Sequence, residues 1–514
     1  MAKLETSYTS QPAGVTPRAP SGQTDEVQPS HRFMQYAVMA PRWDLINAVL
    51  GGTETMRAAG EIYLPKHPAE THDNWERRRN QGVLVNALEM TLDTLVGFPF
   101  AQPIRLEPDV PEEIRTLAED IDLCGTHIDV FARKWFREGL AKGFAHVLVE
   151  FPRVGNRPRT LADDRAQRLR PYWLLIQPED VIAAYAEVIN GREVITHLRF
   201  YETLVERVGF GERIVRRIQV REPGRWQVWV PDENARPGDD KWVLAEEGET
   251  TLQEVPLVTF YTDRQSFMLA KPPLLDLAFM NVCHWQSYTD QRNILSVSRF
   301  PMLAVSGADN EGTGGGTDIE VGPNKVLWAS DPQGRFYYVE STGAAIGEGA
   351  KDLQTLLEQM AMYGAEYLRP GVATYVATPA VNARRSMLSP LQVMTISFRD
   401  AMETALQYTA RWLGLGDDAG GSVRINEDFG PQGFESADLA ELANARNRGD
   451  ISRQQWIKEM QRRGLLSSDY DADADIDQMR RERETLPEPR KVTGQAPAGG
   501  AGNGGRPPEQ QPSA

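Results

Sequence analysis

The apolar residues between positions 353 and 367 recur at alternating spacings of three and four. The positions concerned are Leu353, Leu356, Met360, Tyr363 and Tyr367. This spacing puts all five side chains on one stripe of a helix, and it is typical of helices that pack lengthwise against another helix. We therefore predict a helix over residues 349–368 with a packing seam along one side.

A second long helix is predicted upstream, over residues 273–299. Leu274, Ala278, Val282 and Trp285 form its apolar stripe, and Pro301 ends it because proline cannot continue a helix. Two extended stretches follow, "PMLAVSG" and "NKVLWAS…GRFYYVES", separated by the glycine-rich "EGTGGGTD". The pattern predicts strands inserted between two long helices.

A third long helix is predicted to begin at Ser389. Ser389 is a good N-cap, Pro390 suits the first helical position, and Gln392 completes a capping box. Apolar residues then recur in a three-four rhythm as far as Trp412 and Gly414. The loop before this helix, "ATPAVNARRSMLSPLQ", carries an adjacent pair of arginines.

The N-terminal half mixes helices with strands. Asp73 and Glu76 have the spacing of a capping box, which predicts that the first firm helix follows "THDNWERRR". The same helix is predicted to align Leu84, Leu88, Leu92 and Leu95 on one face, with Asn86, Glu89 and Asp93 turned away. A further helix around 131–143 leads into "AHVLVEF", a buried strand by its branched side chains.

Residues 171–262 have the composition of a β-rich meander. Asn190-Gly191 between two extended runs is the strongest short-range hairpin pattern in this stretch. Farther along, residues 435–484 are predicted to form a small helical unit. Two of its helices meet at "GDIS", where either Asp450 or Ser452 can cap the second.

The net charge limits the kinds of partner that the chain can bind through its whole surface. Lys and Arg number 56 against 72 Asp and Glu, a balance of −16. A protein that grips nucleic acid by counterion release is normally basic overall. The acidic excess indicates solubility, or a surface that avoids adhering to phosphate.

Two cysteines exclude a disulfide framework and suit a reducing cytoplasm. No apolar run has the length of a membrane span, and the polar first thirty residues do not resemble a signal peptide. We therefore expect neither membrane insertion nor export by that route. The Pro/Gly-rich segment from residue 486 onward and the first thirty residues are predicted to be disordered.

The sequence offers no convincing catalytic or metal-binding motif. "STGAAIGEGAKD" contains Gly347, Gly349 and Lys351, but it lacks the Gly-Lys-Ser/Thr order that a phosphate-binding loop requires. His67 and His72 have no third or fourth zinc ligand nearby, and His284 is isolated on its helix. We expect no cofactor, no metal and no enzymatic activity.

Several long stretches resemble portal proteins of tailed bacteriophages, both in their local sequence and in the order in which they follow one another. They are "YLPKHPAETHDNWERRRNQGVLVNALEMTLDTLVGFPF", "YWLLIQPEDVIAAY", "PPLLDLAFMNVCHWQSYTDQRNILSVSRFPMLAVSG" and "VGPNKVLWASDPQGRFYYVESTGAAIGEGAKDLQTLLEQMAMYGAEYL". The resemblance spans roughly residues 35–485. It implies an α+β, mainly helical fold with a wing, a two-helix stem, an α/β clip and a helical crown.

The resemblance divides the chain into segments with expected roles. They are a disordered arm at 1–30, a wing of helices and a β-rich meander at 31–272, a stem helix at 273–299, a clip at 300–348, a second stem helix at 349–368, a tunnel loop at 369–388, a long wing helix with its following segment at 389–434, a crown at 435–485 and a disordered tail at 486–514.

The same resemblance implies a homo-oligomeric ring of about twelve subunits at one capsid vertex of a virion, assembled in the bacterial cytoplasm. Double-stranded viral DNA would enter and leave through its channel. The implied partners are the large terminase subunit, head-completion or adaptor proteins, and the major capsid and scaffolding proteins, with no membrane. Leu353, Leu356, Met360 and Tyr363 are the candidates for stem and oligomer packing.

The tunnel-loop candidates for facing DNA are Thr378, Asn382, Arg384 and Arg385. Repeated around a ring, the arginine pair would form a belt of about two dozen positive charges that contacts phosphate without regard to sequence. The alternative is that the pair neutralises acidic neighbours or caps nearby carbonyls. Two alternatives for the whole chain stay open: another structural head protein, such as a minor capsid or adaptor protein, and a nucleotide-dependent enzyme that uses the glycine-rich loops.

Overall fold

The computed structural model describes residues 28–152, 169–299, 302–306, 335–339, 344–367, 389–429 and 436–485, apart from 233, 237–239, 428, 463–465, 467–469 and 471. Residue contacts divide the chain into two compact units, Met1–Phe429 and Gly430–Ala514. The described part mixes helix and sheet, and helix predominates, as the α+β prediction states. Most of the predicted arm and clip, and the whole predicted tunnel loop and tail, lie outside the described residues.

The first unit begins with a helix that was not predicted from the sequence. Helix α1, Met34–Leu50, runs through Pro41, and α2, Gly52–Ala59, follows it. The side chain of Trp43 is buried, and its indole nitrogen donates to the carbonyl of Lys142 at 3.1 Å. Burial of α1 on both sides of Pro41 therefore outweighs the hydrogen bond that the proline removes.

The helix predicted after "THDNWERRR" is in fact two helices, α3 (His72–Gln81) and α4 (Ala87–Gly97). The predicted Asp73–Glu76 capping box is wrong, because Thr71 is the N-cap of α3 and accepts from the amide of Asn74. The chain straightens at Gly82, where an added Cβ would lie 2.7 Å from the ring of Trp285. Asn86, predicted to turn away on a helix surface, caps α4 instead by accepting from the amide of Glu89.

A three-stranded antiparallel sheet lies at the centre of the first unit. Its strands are β3 (Tyr172–Ile176), β2 (Phe144–Glu150) and β9 (Leu257–Tyr261), in that order across the sheet. Two helices pack against it. They are α6, Ile128–Lys142, and α9, Pro390–Trp412. The capping box predicted at Ser389 is confirmed.

The aromatic centre of the core lies where α9 crosses this sheet. The ring of Phe398 is buried, with its centroid 5.0 Å from that of Phe260, 5.1 Å from Trp135 and 5.2 Å from Phe136. Phe100 approaches the same ring at 6.1 Å. Contacts of this number and geometry fix α9 on the sheet.

The β-rich meander is confirmed as a five-stranded antiparallel sheet in sequential order. Its strands are β4 (Val181–Ile189), β5 (Arg192–Val208), β6 (Gly211–Glu222), β7 (Arg225–Pro231) and β8 (Trp242–Glu249). Asn190 and Gly191 form the predicted β4–β5 turn, with φ of 52° and 79°. Positive φ at both central residues is what a type I′ hairpin turn requires.

The remaining elements of the first unit are two long helices and short pieces. The helices are α7 (Leu275–Ser298) and α8 (Ala344–Glu366). The short elements are α5 (Glu112–Leu117) and the strand pairs β1 (Arg105–Leu106) with β14 (Val423–Arg424), β10 (Arg264–Ser266) with β11 (Leu269–Ala270), and β12 (Met302–Ser306) with β13 (Arg335–Val339).

The second unit contains three described helices, α10 (Ser436–Arg448), α11 (Arg453–Arg462) and α12 (Ala472–Thr485). The two predicted helices that meet at "GDIS" are α10 and α11. Of the two capping candidates, Ser452 is the cap, because its hydroxyl oxygen accepts from the amide of Gln455 at 3.1 Å. Asp450 pairs with Arg448 instead.

His146 on β2 predicts a measurable pH dependence of stability. Burial lowers the pKa of His146 to about 3, whereas in the unfolded chain it titrates near 6.5. Between these values only the unfolded chain takes up the proton, so acid favours unfolding. The unfolding free energy should fall by up to about 1.4 kcal/mol per pH unit below pH 6.5 from this group.

The measurement is urea unfolding of the wild type and of His146→Gln at pH 7, 6 and 5. The variant should lose stability less steeply over this range, because carboxylates contribute equally to both proteins. Identical slopes would contradict the assignment of a neutral buried imidazole.

Candidate functional site on an antiparallel helix pair

Helices α7 and α8 pack against each other in opposite directions. At one end, the Gln291 amide of α7 donates to the carbonyl of Ile346 on α8 at 2.8 Å. At the other end, the Tyr363 hydroxyl of α8 donates to the carbonyl of Pro273, just before α7, at 3.2 Å. With 24 and 23 residues, the two helices are each about 35 Å long.

A pair of strands follows the end where α7 stops and α8 starts. β12 and β13 are antiparallel, and Met302 pairs with Val339 while Ser306 pairs with Arg335. Met302 and Val339 are therefore the pair nearest the helices, and the strands lead away from the helix ends. The described residues thus show the predicted arrangement of strands between two long helices.

The close approach of α8 to its neighbours α7 and α4 depends on two glycines of α8. A Cβ on Gly349 would lie 2.4 Å from the amide oxygen of Gln291 on α7, and one on Gly364 would lie 2.8 Å from Thr91 on α4. Both glycines lie in helix interiors, where glycine is otherwise unfavourable. The tight packing of α8 against its neighbours accounts for their presence.

The four predicted packing residues lie on the less exposed side of α8. Met360 is buried in the same apolar core as Leu277 and Trp285 of α7. Tyr363 packs against that core, and Leu353 and Leu356 are half-buried. In the single chain, Met360 and Tyr363 therefore make contacts within one subunit.

Several large apolar side chains on these helices and on the neighbouring α4 are not covered by the described part of the chain. They include Phe279 of α7, 56% exposed, and Met362 of α8, 67% exposed. Ile294, Leu357 and, on the neighbouring α4, Met90 are also exposed. Contiguous exposed apolar patches mark interaction surfaces, and these side chains are the candidates that the helix pair offers for one. We call these five residues the outer helix face.

Two buried polar residues, neither of them predicted from the sequence, fix α7 to α3 and to the start of α4. Asn281 of α7 accepts from the amide of Leu88 at 2.9 Å and donates to the carbonyl of Val85 at 2.7 Å. Arg78 of α3, 1% exposed, donates to Asp290 of α7 at 2.8 Å and to both carboxylate oxygens of Glu70. The Arg78 hydrogen bond lowers the pKa of the Glu70 carboxyl.

The described residues on either side of the segment with the arginine pair contact each other. The amide of Leu391 donates to the carbonyl of Tyr367 at 3.3 Å, so the ends of the connection between α8 and α9 are in contact. The predicted channel residues on this connection are Thr378, Asn382, Arg384 and Arg385, and all four lie outside the described residues.

The glycine-rich segment "STGAAIGEGAKD" is helical over most of its length and forms no phosphate-binding loop there. Gly347, Gly349 and Lys351 lie within α8, and Lys351 pairs with Glu348 at 2.9 Å. Among the described residues, no group of three His, Cys, Asp or Glu side chains is arranged to hold a metal ion. Within the same part of the chain, no helix is both long enough and apolar enough to cross a bilayer.

Comparison with known proteins gives one family match and several structural ones. Residues 273–413 match the model of a domain of unknown function (DUF4055), and this range runs from the start of α7 to the end of α9. No curated protein matches the chain.

Three of the matching solved structures come from gene transfer agent particles, and each is 12% identical to the chain. The neck of an empty particle with C6 symmetry aligns over 79% of this chain and 97% of its own, with a TM-score of 0.36. The virion of the native particle aligns over 78% and 96%, with a TM-score of 0.35. The neck of the native particle with C12 symmetry aligns over 78% and 97%, with a TM-score of 0.31. TM-scores of this size do not establish a common fold.

Proposed function

We propose that this chain is a portal protein, which forms a ring of about twelve copies at a unique vertex of a tailed-phage-like capsid. The ring would conduct double-stranded DNA during packaging and ejection. The observation that carries the proposal is the antiparallel pair α7–α8, with strands extending from one end and an uncovered outer helix face. It is supported by the resemblance of residues 35–485 to the portal family.

Self-assembly through the helix pair follows from its exposed side chains. In a monomer, Phe279 and Met362 expose apolar surface to water. Burial of such surface between subunits favours association by about 25 cal/mol per Å2. A contact between different surfaces on adjacent copies closes into a ring when the rotation between copies allows it. The outer helix face would then form part of the contact between neighbours.

The charge of α8 suits a channel through which DNA slides. The helix carries four carboxylates and one lysine, Glu348, Asp352, Glu358, Glu366 and Lys351, a balance of −3. Around a ring this acidic surface would repel phosphate and keep the duplex from adhering to the wall. The loop between Tyr367 and Leu391, whose ends are joined, would carry Arg384 and Arg385 toward the DNA.

In this role the chain would perform no reaction of its own. The large terminase subunit would supply the energy for packaging, and head-completion or adaptor proteins would bind after filling. The major capsid and scaffolding proteins would surround the ring in the particle. These partners follow from the portal assignment.

The double substitution Arg384→Ala with Arg385→Ala should leave ring assembly intact and weaken DNA packaging or retention. The loss should grow as the salt concentration rises, because the remaining phosphate contacts are screened. The measurement is nuclease-protected DNA per particle at several salt concentrations. Arg480→Ala with Arg481→Ala, an adjacent pair on α12, removes the same charge and should have a smaller effect. Packaging that is unchanged in the first variant would refute the arginine belt and leave the portal assignment standing.

A minor capsid or adaptor protein with the same helix pair is the competing role. Position in the particle distinguishes the two, since a portal occupies one vertex beside the motor. Gold labelling of a tagged chain in intact particles should give a single labelled vertex before the tail is attached. Labelling distributed over the shell, or appearing only after DNA filling, would favour the competing role.

A further inference from the structure

The first two thirds of helix α8 are held by few buried contacts. Among the described side chains of this helix, only Met360 is buried. Tyr363 and Tyr367, which follow it, donate from their hydroxyls to the carbonyl of Pro273. Residues 346–359 contribute no buried side chain. A segment with so little burial opens at low cost while the rest of the fold stays closed.

His284 of α7 lies opposite this part of α8. It precedes Gln291 by seven residues, about two turns, so the two side chains lie on the same face of α7. Gln291 donates to the carbonyl of Ile346, which places that face against α8. Because the helices are antiparallel, the residues of α8 that are level with His284 lie about two turns after Ile346.

The surroundings of His284 favour the uncharged imidazole. The residue is 1% exposed, and its ring stacks on that of Tyr288, one turn farther along α7, with the centroids 5.9 Å apart. Its Nδ1 atom is buried and makes no hydrogen bond to any residue that the structure describes. A protonated imidazole has two N–H donors. A charged His284 would therefore leave a buried donor without an acceptor, in addition to a charge removed from water.

One carboxylate opposes this effect. Burial lowers the pKa of His284, and the charge of Asp352 on α8 raises it without restoring its ordinary value. Glu348, one turn before Asp352, is paired with Lys351 at 2.9 Å. Of the helices packed against α7, only α8 presents a charge that acts on this imidazole within the described part of the chain.

Acid therefore weakens the contact between the two helices. When the first part of α8 separates from α7, His284 meets water and regains its ordinary pKa of 6.5. Below that pH the open form binds more protons than the closed form, and proton uptake shifts the equilibrium toward opening. Above it, neither form is protonated and the contact is at its strongest.

We propose that His284 is an acid-sensitive switch, whose neutral side chain holds residues 344–359 of α8 against α7 and whose protonation releases them. The later part of α8 stays in place, because Met360, Tyr363 and Tyr367 hold it. This property goes beyond the channel role, since it requires neither DNA nor a ring.

Hydrogen exchange followed by mass spectrometry at pH 7.0 and 5.5 tests the switch, with each rate corrected for the intrinsic pH dependence of exchange. Opening of residues 346–358 should increase by up to about eightfold between the two pH values, because one proton binds only to the open form. Residues 360–366 of the same helix are the internal control and should change less.

His284→Gln should abolish the increase at residues 346–358, because glutamine keeps a polar side chain that does not titrate. His67→Gln is the matched control. His67 also contacts α7, with Nε2 3.2 Å from Asp290, but its side chain is 56% exposed. The increase should therefore persist in His67→Gln. An increase of the same size in the wild type and in His284→Gln would overturn the proposal.

Asp352→Asn is a second test that does not alter a buried residue, since Asp352 is exposed. It removes the charge that raises the pKa of His284 in the closed form. The response to acid should be as large as in the wild type or larger. Loss of the response in Asp352→Asn would show that the carboxylate is the group that titrates, and would overturn the assignment to His284.

The switch and the channel role fail in distinguishable ways. Closed rings around an aperture, in a protein whose residues 346–358 exchange equally at both pH values, would contradict the switch and leave the channel role intact. An acid response that depends on His284 in a protein that never forms rings would support the switch and contradict the channel role.

Discussion

Replacing Arg78 with alanine should destabilise the first compact unit by about 3–5 kcal/mol, because it leaves a buried carboxylate without its cation. The Glu70 side chain is 8% exposed, and both of its oxygens accept from Arg78, at 2.8 and 2.9 Å. The same guanidinium also donates to Asp290 of α7 and to the carbonyl of Pro65. Its removal therefore breaks a connection between α3 and α7 as well as an ion pair.

Chemical unfolding followed by tryptophan fluorescence measures this loss. Arg77→Ala is the matched control on the same helix, and it should change stability by less than about 0.5 kcal/mol because Arg77 is exposed. The double variant Arg78→Met with Glu70→Leu should recover much of the stability, since no buried charge remains unpaired. A loss below about 1 kcal/mol for Arg78→Ala would show that Glu70 is not buried in solution.

Phe398→Ala should cost about 3–5 kcal/mol, which is typical when a fully buried aromatic side chain is truncated. Phe398 contacts rings from α6, from β9 and from the loop before β1, so the cavity would lie where α9 crosses the central sheet. Its aromatic neighbours already pack against one another, as Phe136 and Phe260 stack at 5.4 Å. They have little freedom to move into the space.

The same unfolding measurement applies, with Val393→Ala as the control on an exposed position of α9. Phe398→Leu should recover part of the loss by filling some of the cavity. A cost for Phe398→Ala equal to that of Val393→Ala would contradict the packing of α9 on the sheet.

Patterns that depend on a few adjacent residues were predictable from the sequence. Asn190-Gly191 determines its hairpin because both residues tolerate positive φ. Ser389 and Gln392 determine the start of α9 because the side chain of each residue accepts a hydrogen bond from the backbone amide of the other. The apolar stripes of α7 and α8 were predictable for a different reason, because the spacing of three and four residues repeats along each helix.

Features that depend on distant residues were not predictable in this way. One helix was predicted where the structure has α3 and α4. The chain is extended at Gly82, between them, because it passes against Trp285, some two hundred residues later. Helix α1 was missed because Pro41 locally opposes a helix, and only tertiary burial compensates for it. Asn281 looks like an ordinary polar residue in sequence, and its role depends on the backbone groups of Val85 and Leu88.

The candidate site also has one part that could be predicted from the sequence and one that could not. The helix pair and its seam could be predicted from Leu353, Leu356, Met360 and Tyr363, since helical periodicity identifies the face that packs. The outer helix face could not, because the exposure of Phe279 or Met362 depends on which surfaces the remaining fold covers.

Electron microscopy of the purified chain, viewed along the particle axis, tests the central claim most directly. If the chain is a portal protein, the images should show closed rings of about a dozen copies around an aperture wide enough for a DNA duplex, with α7 and α8 beside that aperture. Compact monomers, or closed oligomers without an opening, under all assembly conditions would contradict it.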